Sequence, residues 1–123
     1  NPVAHKYALQ NLLSNKIPEG KIILYNADVR KKVQLLKQKF DRIVMPLPKT
    51  ADTFLDIAFK VLKKNGVIHL YQFCSESEFD AIAEKIQHVC KSLNKKCRIL
   101  GVFKAGQNAP HQYRVRVDIQ LQN

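Results

Sequence analysis

Short β-rich apolar runs alternate with amphipathic helical stretches along this chain, and that alternation restricts it to an α/β sheet. Ile22-Ile23-Leu24-Tyr25, Phe40 to Met45 and Val67 to Phe73 are too short for helices and read as buried strands. Helical spacing fills the gaps between them. Pro2 suits a first helical turn, and Ala4, Ala8 and Leu12, with Leu9 and Leu13, recur at helical spacing to about Ser14. Pro18-Glu19-Gly20 is a turn. Asp28 can N-cap a short helix carrying Val29, Val33 and Leu36. Thr50 or Asp52 can cap a helix with Phe54, Leu55, Ala58, Phe59 and Leu62 on one side, ending at Lys63-Lys64-Asn65-Gly66. Ser75 and Glu78 fit a capping box ahead of Phe79, Ile82, Ala83, Ile86, Val89, Cys90 and Leu93 on one helix face.

The last part changes character. Ile99 to Lys104 and Tyr113 to Leu121 read as strands joined by residues 105–110, with no room for a helix, so they predict an antiparallel hairpin. Val115, Val117, Ile119 and Leu121 alternate with Arg114, Arg116, Asp118 and Gln120, the pattern of a half-exposed strand. The architecture predicted is α/β: a mostly parallel, Rossmann-like sheet with helices on both faces and an antiparallel C-terminal hairpin. At 123 residues the length suits one domain, residues 1–123. The chain opens on Asn1-Pro2 rather than methionine, and we expect it to be a piece of a longer protein.

Ligands of such sheets bind outside the carboxyl ends of the strands. Three ends qualify: Asn26-Ala27-Asp28, Pro46-Leu47-Pro48 and Phe73-Cys74. A carboxylate at Asp28 can bind a hydroxyl, an amine or an adenine amino group, or it can serve as a helix cap alone. At the second end, each proline fixes φ and removes an N–H donor. The carbonyls of Met45 and Pro46 then sit in a rigid frame that can accept hydrogen bonds from the amino group of a planar base. The corner can equally be a strand terminator. Lys49 can meet a phosphate or only solvent.

Charge narrows the partners. Twenty-one Lys and Arg against ten Asp and Glu give +11, which favours a polyanion, and nucleic acid before others. An anionic membrane surface is a weaker fit, because no helix is a clear basic amphipath, and no stretch is long enough to span a bilayer. Three cysteines without a C-x-x-C pair suit a reduced, cytoplasmic setting. His88, Cys90 and Cys97 match no zinc module and lack a fourth ligand, so no metal is expected, and Cys90 is expected in the core. His69 lies inside an apolar strand and reads as a satisfied core or strand-face residue rather than a base. The serines have no recognisable His/Asp setting, and the four glycines form no phosphate-cradling loop. A complete cofactor site is therefore absent or lies outside this stretch.

"DRIVMPLPKTADTFLDIAFKVLKKNGVIHLYQF", Asp41 to Phe73, resembles the second half of the archaeal and eukaryotic tRNA (guanine-N1)-methyltransferases. The likeness lies in a "DR-(I/V)-(I/V)-M-N-L-P" strand end, an "FLD-A" helix and a "GG-(I/V)-I-H-x-Y-x-F" strand. "NPVAHKYALQNLLSNKI", "YNADVR" and "APHQYRVRVDIQL" extend it over essentially the whole chain. These enzymes modify the guanosine on the 3′ side of the anticodon, position 37, with S-adenosylmethionine as methyl donor. The resemblance implies the second half of a class I methyltransferase fold. The first strands, the glycine-rich loop, the acid/base residues and an N-terminal RNA-binding domain would lie upstream. It implies cofactor contacts at Asn1, Asn26, Ala27, Asp28 and Met45, and substrate contacts at Pro46, Leu47, Pro48 and Lys49. The sequence departs at Pro46, where many members carry asparagine, so the corner offers carbonyls and shape but no side-chain amide. The cofactor site would be incomplete here and the isolated chain inactive. Two other readings stand beside this one: a wybutosine-pathway tRNA aminocarboxypropyl transferase, and a non-catalytic basic RNA-binding α/β module.

Overall fold

The structure, a computed structural model, describes residues 1–46 and 49–123. These fall into two compact units, Asn1–Leu35 and Leu36–Asn123.

The first unit holds helices α1 (Pro2–Ser14) and α2 (Val29–Leu35). Helix α1 begins where Pro2 predicts, with Asn1 as N-cap: its Oδ1 accepts from the amides of Val3 (3.0 Å) and Ala4 (3.2 Å). Asp28 Oδ1 caps α2, accepting from the amides of Arg30 (2.8 Å) and Lys31 (3.2 Å). Neither helix has a buried residue. The expected strand at Ile22–Tyr25 does not form. A strand needs a ladder partner for its backbone groups. No described strand pairs with this run, and Ile23 and Tyr25 stay more than half exposed. Tyr25 instead lies under the ammonium of Lys32, at 4.0 Å.

The second unit is a four-stranded sheet with two helices. Its elements are β1 (Phe40–Met45), a 3-10 turn (Ala51–Phe54), α3 (Leu55–Val61), β2 (Leu62–Ser75), a second 3-10 segment (Glu76–Ala81), α4 (Ile82–Ser92), β3 (Cys97–Ala109) and β4 (Gln112–Leu121). The strand order is β1-β2-β4-β3. The first pair is parallel, with Ile43 opposite Ile68 and Met45 opposite Leu70. The other two pairs are antiparallel and contain the expected hairpin. The α/β class holds, but among the described residues the parallel part is this one pair. Both helices of the unit contribute buried side chains to one core. Leu55, Ala58 and Phe59 of α3 and Ile82, Ile86 and Cys90 of α4 join Ile68, Leu70, Cys74, Val115, Val117, Ile119 and Leu121 there. Within this unit, then, the helices cover one face of the sheet rather than both.

Local signals are mostly met. The Ser75–Glu78 capping box forms, with the Ser75 amide donating to Glu78 Oε2 at 2.9 Å. This bond, before any other cause, holds the Glu78 carboxyl below its usual range. Neither Thr50 nor Asp52 caps α3: the chain takes a 3-10 turn first, and Thr50 makes no side-chain cap bond. Helix α3 also stops at Val61, earlier than Lys63–Gly66, because Leu62 turns extended (φ −86, ψ 136) and drops into the core at 1 % exposure.

Cys90 is fully buried. Burial first, then a hydrogen bond with the Cys97 thiol, pushes its thiol up from 9.0 to about 12. A thiol raised in the folded state contributes stability below pH 9.0 that is lost as pH climbs toward about 12. The same protonation makes it inert. Cys90 should therefore resist iodoacetamide at pH 8 in native buffer and react once urea unfolds the chain. Native-state labelling at the rate of a free thiol, read by mass spectrometry, would contradict this placement.

Candidate functional site

Because β1 and β2 run parallel, their carboxyl ends share one edge of the sheet. Met45 is half-buried against the core, while Pro46 and Lys49 beyond it are exposed. The other two corner residues, Leu47 and Pro48, lie outside the described residues. Asn1, Asn26, Ala27 and Asp28 belong to the first unit. There the backbone nitrogen of Asn1 donates to Asn26 Oδ1 at 3.2 Å, so these two are brought together. Ala27 is exposed, and one oxygen of Asp28 is committed to the cap of α2. The capping role of Asp28 is thus realised, which leaves any ligand role to be shared with it.

The third predicted end, Phe73-Cys74, lies on the same edge, and just past it is a cleft whose lining residues the sequence did not single out as a site. Strands β2 and β4 stay paired as far as Ser75 and Gln112, well past the end of β1. There Ser75, Glu76, Ser77, His111 and Gln112 line an open cleft of about 400 Å³. The hairpin turn falls at Pro110-His111, with His111 at φ +57, rather than across residues 105–110. Two bonds latch it to the segment after β2. The Glu76 amide donates to the His111 carbonyl (2.9 Å), and His111 Nδ1 meets Glu76 Oε2 (2.8 Å). The histidine bond is the first cause holding the Glu76 carboxyl below its usual range. The signal available was Ser75-Glu76-Ser77, which reads as a helix cap before it reads as a site.

A polar network crosses the sheet face opposite the core. Arg42 Nη1 donates to His69 Nε2 (3.1 Å), which places the ring proton on Nδ1, facing Asp118 Oδ1 at 2.7 Å. Arg116 grips the same carboxylate through Nε (2.9 Å) and Nη2 (3.1 Å) and lies over Phe103 at 4.7 Å. Asp118 is the first cause raising the Arg116 guanidinium. Of the two placements expected, core or strand face, His69 takes the strand face, with both ring nitrogens engaged. Among the described residues no group of three or more His, Cys, Asp or Glu side chains is placed to hold a metal ion, and no helix is long and apolar enough to cross a membrane.

Comparison with known proteins decides the family. The model of the TRM5/TYW2 methyltransferase domain matches residues 1–100. The chain belongs to this family. A TRM5/TYW2 relative, the tRNA (guanine(37)-N(1))-methyltransferase Trm5b of Pyrococcus abyssi, is 32 % identical over 122 residues, covering 98 % of this chain and 35 % of the relative. The crystal structure of Trm5b from Pyrococcus abyssi superposes with a TM-score of 0.83 at 31 % identity, over 100 % of this chain and 36 % of that one. The tRNA(Phe) (4-demethylwyosine(37)-C(7)) aminocarboxypropyltransferase of Methanocaldococcus jannaschii is 30 % identical over 127 residues, covering 99 % of this chain and 48 % of the relative. The chain thus spans less than half the length of either curated relative. The TRM5/TYW2 fold agrees with the α/β class and the closing antiparallel hairpin read from the sequence.

Proposed function

We propose that this chain is the C-terminal part of the catalytic domain of an S-adenosylmethionine-dependent enzyme that methylates N1 of guanosine 37 in tRNA. The supporting observation is its identity to the Pyrococcus abyssi guanine-N1 enzyme across 98 % of its length. The net charge of +11 suits tRNA phosphates, with affinity that falls as salt rises. The free cysteines suit the cytoplasm.

Bound S-adenosylmethionine supplies an electrophilic methyl group. In the first unit we assign cofactor contacts to Asn1, Asn26, Ala27 and Asp28, with the adenine end at the exposed residues Asn26 and Ala27 just ahead of α2; in the second unit we assign one to Met45. At the end of β1, Pro46 has no N–H to donate, so its carbonyl and that of Met45 are the groups that hold the amino edge of the guanine. Leu47, Pro48 and Lys49 complete that corner in our assignment. The base must leave its stack to enter. Its N1 proton must go to a general base, for which no residue of this chain is assigned. Transfer requires N1 to be held in line with the methyl, and the fixed φ of Pro46 is what this chain would contribute to that orientation.

Incubating the full-length protein with labelled S-adenosylmethionine and unmodified tRNA should yield N1-methylguanosine at position 37 by nuclease digestion and mass spectrometry. An aminocarboxypropyl adduct would transfer the assignment to the second reading, which the Methanocaldococcus jannaschii relative keeps open.

A further inference from the structure

The wall beyond the proposed guanine corner has its own chemistry. Met45 is opposite Leu70, yet β2 continues paired to Ser75. That places the cleft of Ser75, Glu76, Ser77, His111 and Gln112 roughly 16 Å further along the strand axis, at ~3.3 Å per residue. It stands on the carboxyl edge, where RNA flanking a target base held at Pro46 would run.

Its polar groups are mostly acceptors. Ser75 Oγ donates to Glu78 Oε2 at 2.7 Å, so at 3.1 Å it takes the proton of Ser77, whose oxygen is left to accept. Glu76 is a carboxylate tied to His111 Nδ1. Nε2 of His111 and the side-chain amide of Gln112 have no protein hydrogen bond among the described residues. A phosphate would be repelled by Glu76. Cationic charge lies at the rim instead, where Lys104 Nζ rests 4.3 Å over the ring of Tyr113. An acceptor-rich cleft with one amide matches the edge of a base bearing an exocyclic amino group, which cytosine has and uracil lacks.

We infer that this cleft is a base-reading site for a nucleotide flanking the target guanine, one selective for an exocyclic amino group, with Gln112 and Ser77 as specificity-determining residues. This rests on the reading of the chain as an RNA-binding part of a tRNA enzyme. The test is fluorescence anisotropy of the 123-residue chain with labelled oligocytidylate and oligouridylate of equal length, without cofactor. Oligocytidylate should bind about tenfold tighter. Gln112→Ala should cut that ratio to about twofold while leaving oligouridylate affinity and circular dichroism unchanged. Ser77→Ala should lower it in the same sense. Equal binding of the two, no binding of either, or a ratio that survives both substitutions overturns the site. These measurements involve no group transfer. Loss of the cytosine preference leaves the methyl-transfer reading standing, and an aminocarboxypropyl product leaves the cleft standing.

Discussion

Asp118→Ala should lower the unfolding free energy by about 2 kcal/mol, the cost of leaving a largely buried donor, the Nδ1–H of His69, without its partner. The carboxylate sits in β4 at 9 % exposure and takes three hydrogen bonds, one from His69 and two from Arg116. Removing it leaves the Nδ1–H of His69 facing a void, with a ring only 17 % exposed. It also strips the counter-charge from Arg116 in a chain already at +11. Arg116 adds little to the loss, because its side chain is 35 % exposed and water replaces the bonds it gives up. Asp118→Asn keeps an acceptor for His69 while losing the charge, so it should cost about half as much. Urea unfolding followed by circular dichroism reads both. A shift under about 0.5 kcal/mol for alanine, the range of ordinary surface substitutions, would mean the network contributes nothing to stability.

The same residue shows where the sequence was legible and where it stopped. Alternation along residues 113–121 put Val115, Val117, Ile119 and Leu121 in the core correctly, because a strand's side chains must alternate. It also put Asp118 on the polar face. That face is right, but its burial depends on His69, forty-nine residues earlier in the chain, and no local pattern carries that pairing. The helix starts at Pro2 and Asp28 and the capping box at Ser75 were readable because each is a bond between near neighbours. The strand at Ile22–Tyr25 was misread for the opposite reason: apolar, β-rich composition signals a strand only where a partner supplies its ladder. At the site, the end of β1 was located by its prolines. The cleft was missed because Ser77 and Gln112 converge only once β2 and β4 pair past Met45.

Gly66→Ala should cost about 2 kcal/mol, an overpacking penalty that the surroundings cannot relieve. Gly66 is buried between α3 and the paired part of β2. A methyl there would lie 2.7 Å from Leu62 Cδ1 and 2.9 Å from the Lys63 carbonyl oxygen. Leu62 is pinned in the core at 1 % exposure, and the carbonyl belongs to the backbone, so neither can step aside. The chain itself would have to shift at Val67, where β2 joins Arg42 of β1. Gly101 supplies the control. Its added methyl would meet only the ring of Phe103, at 2.6 Å, and that ring is 46 % exposed, so it can swing outward at the cost of its contact with Arg116. Gly101→Ala should therefore cost under about 1 kcal/mol, since an exposed ring can repack where a core side chain cannot. The two variants, compared by urea midpoint at equal m-value, separate a rigid obstacle from a movable one. Equal losses at the two positions would show that the crowding around Leu62 relaxes as readily as an exposed phenyl ring, and the entry to β2 would then tolerate any small residue.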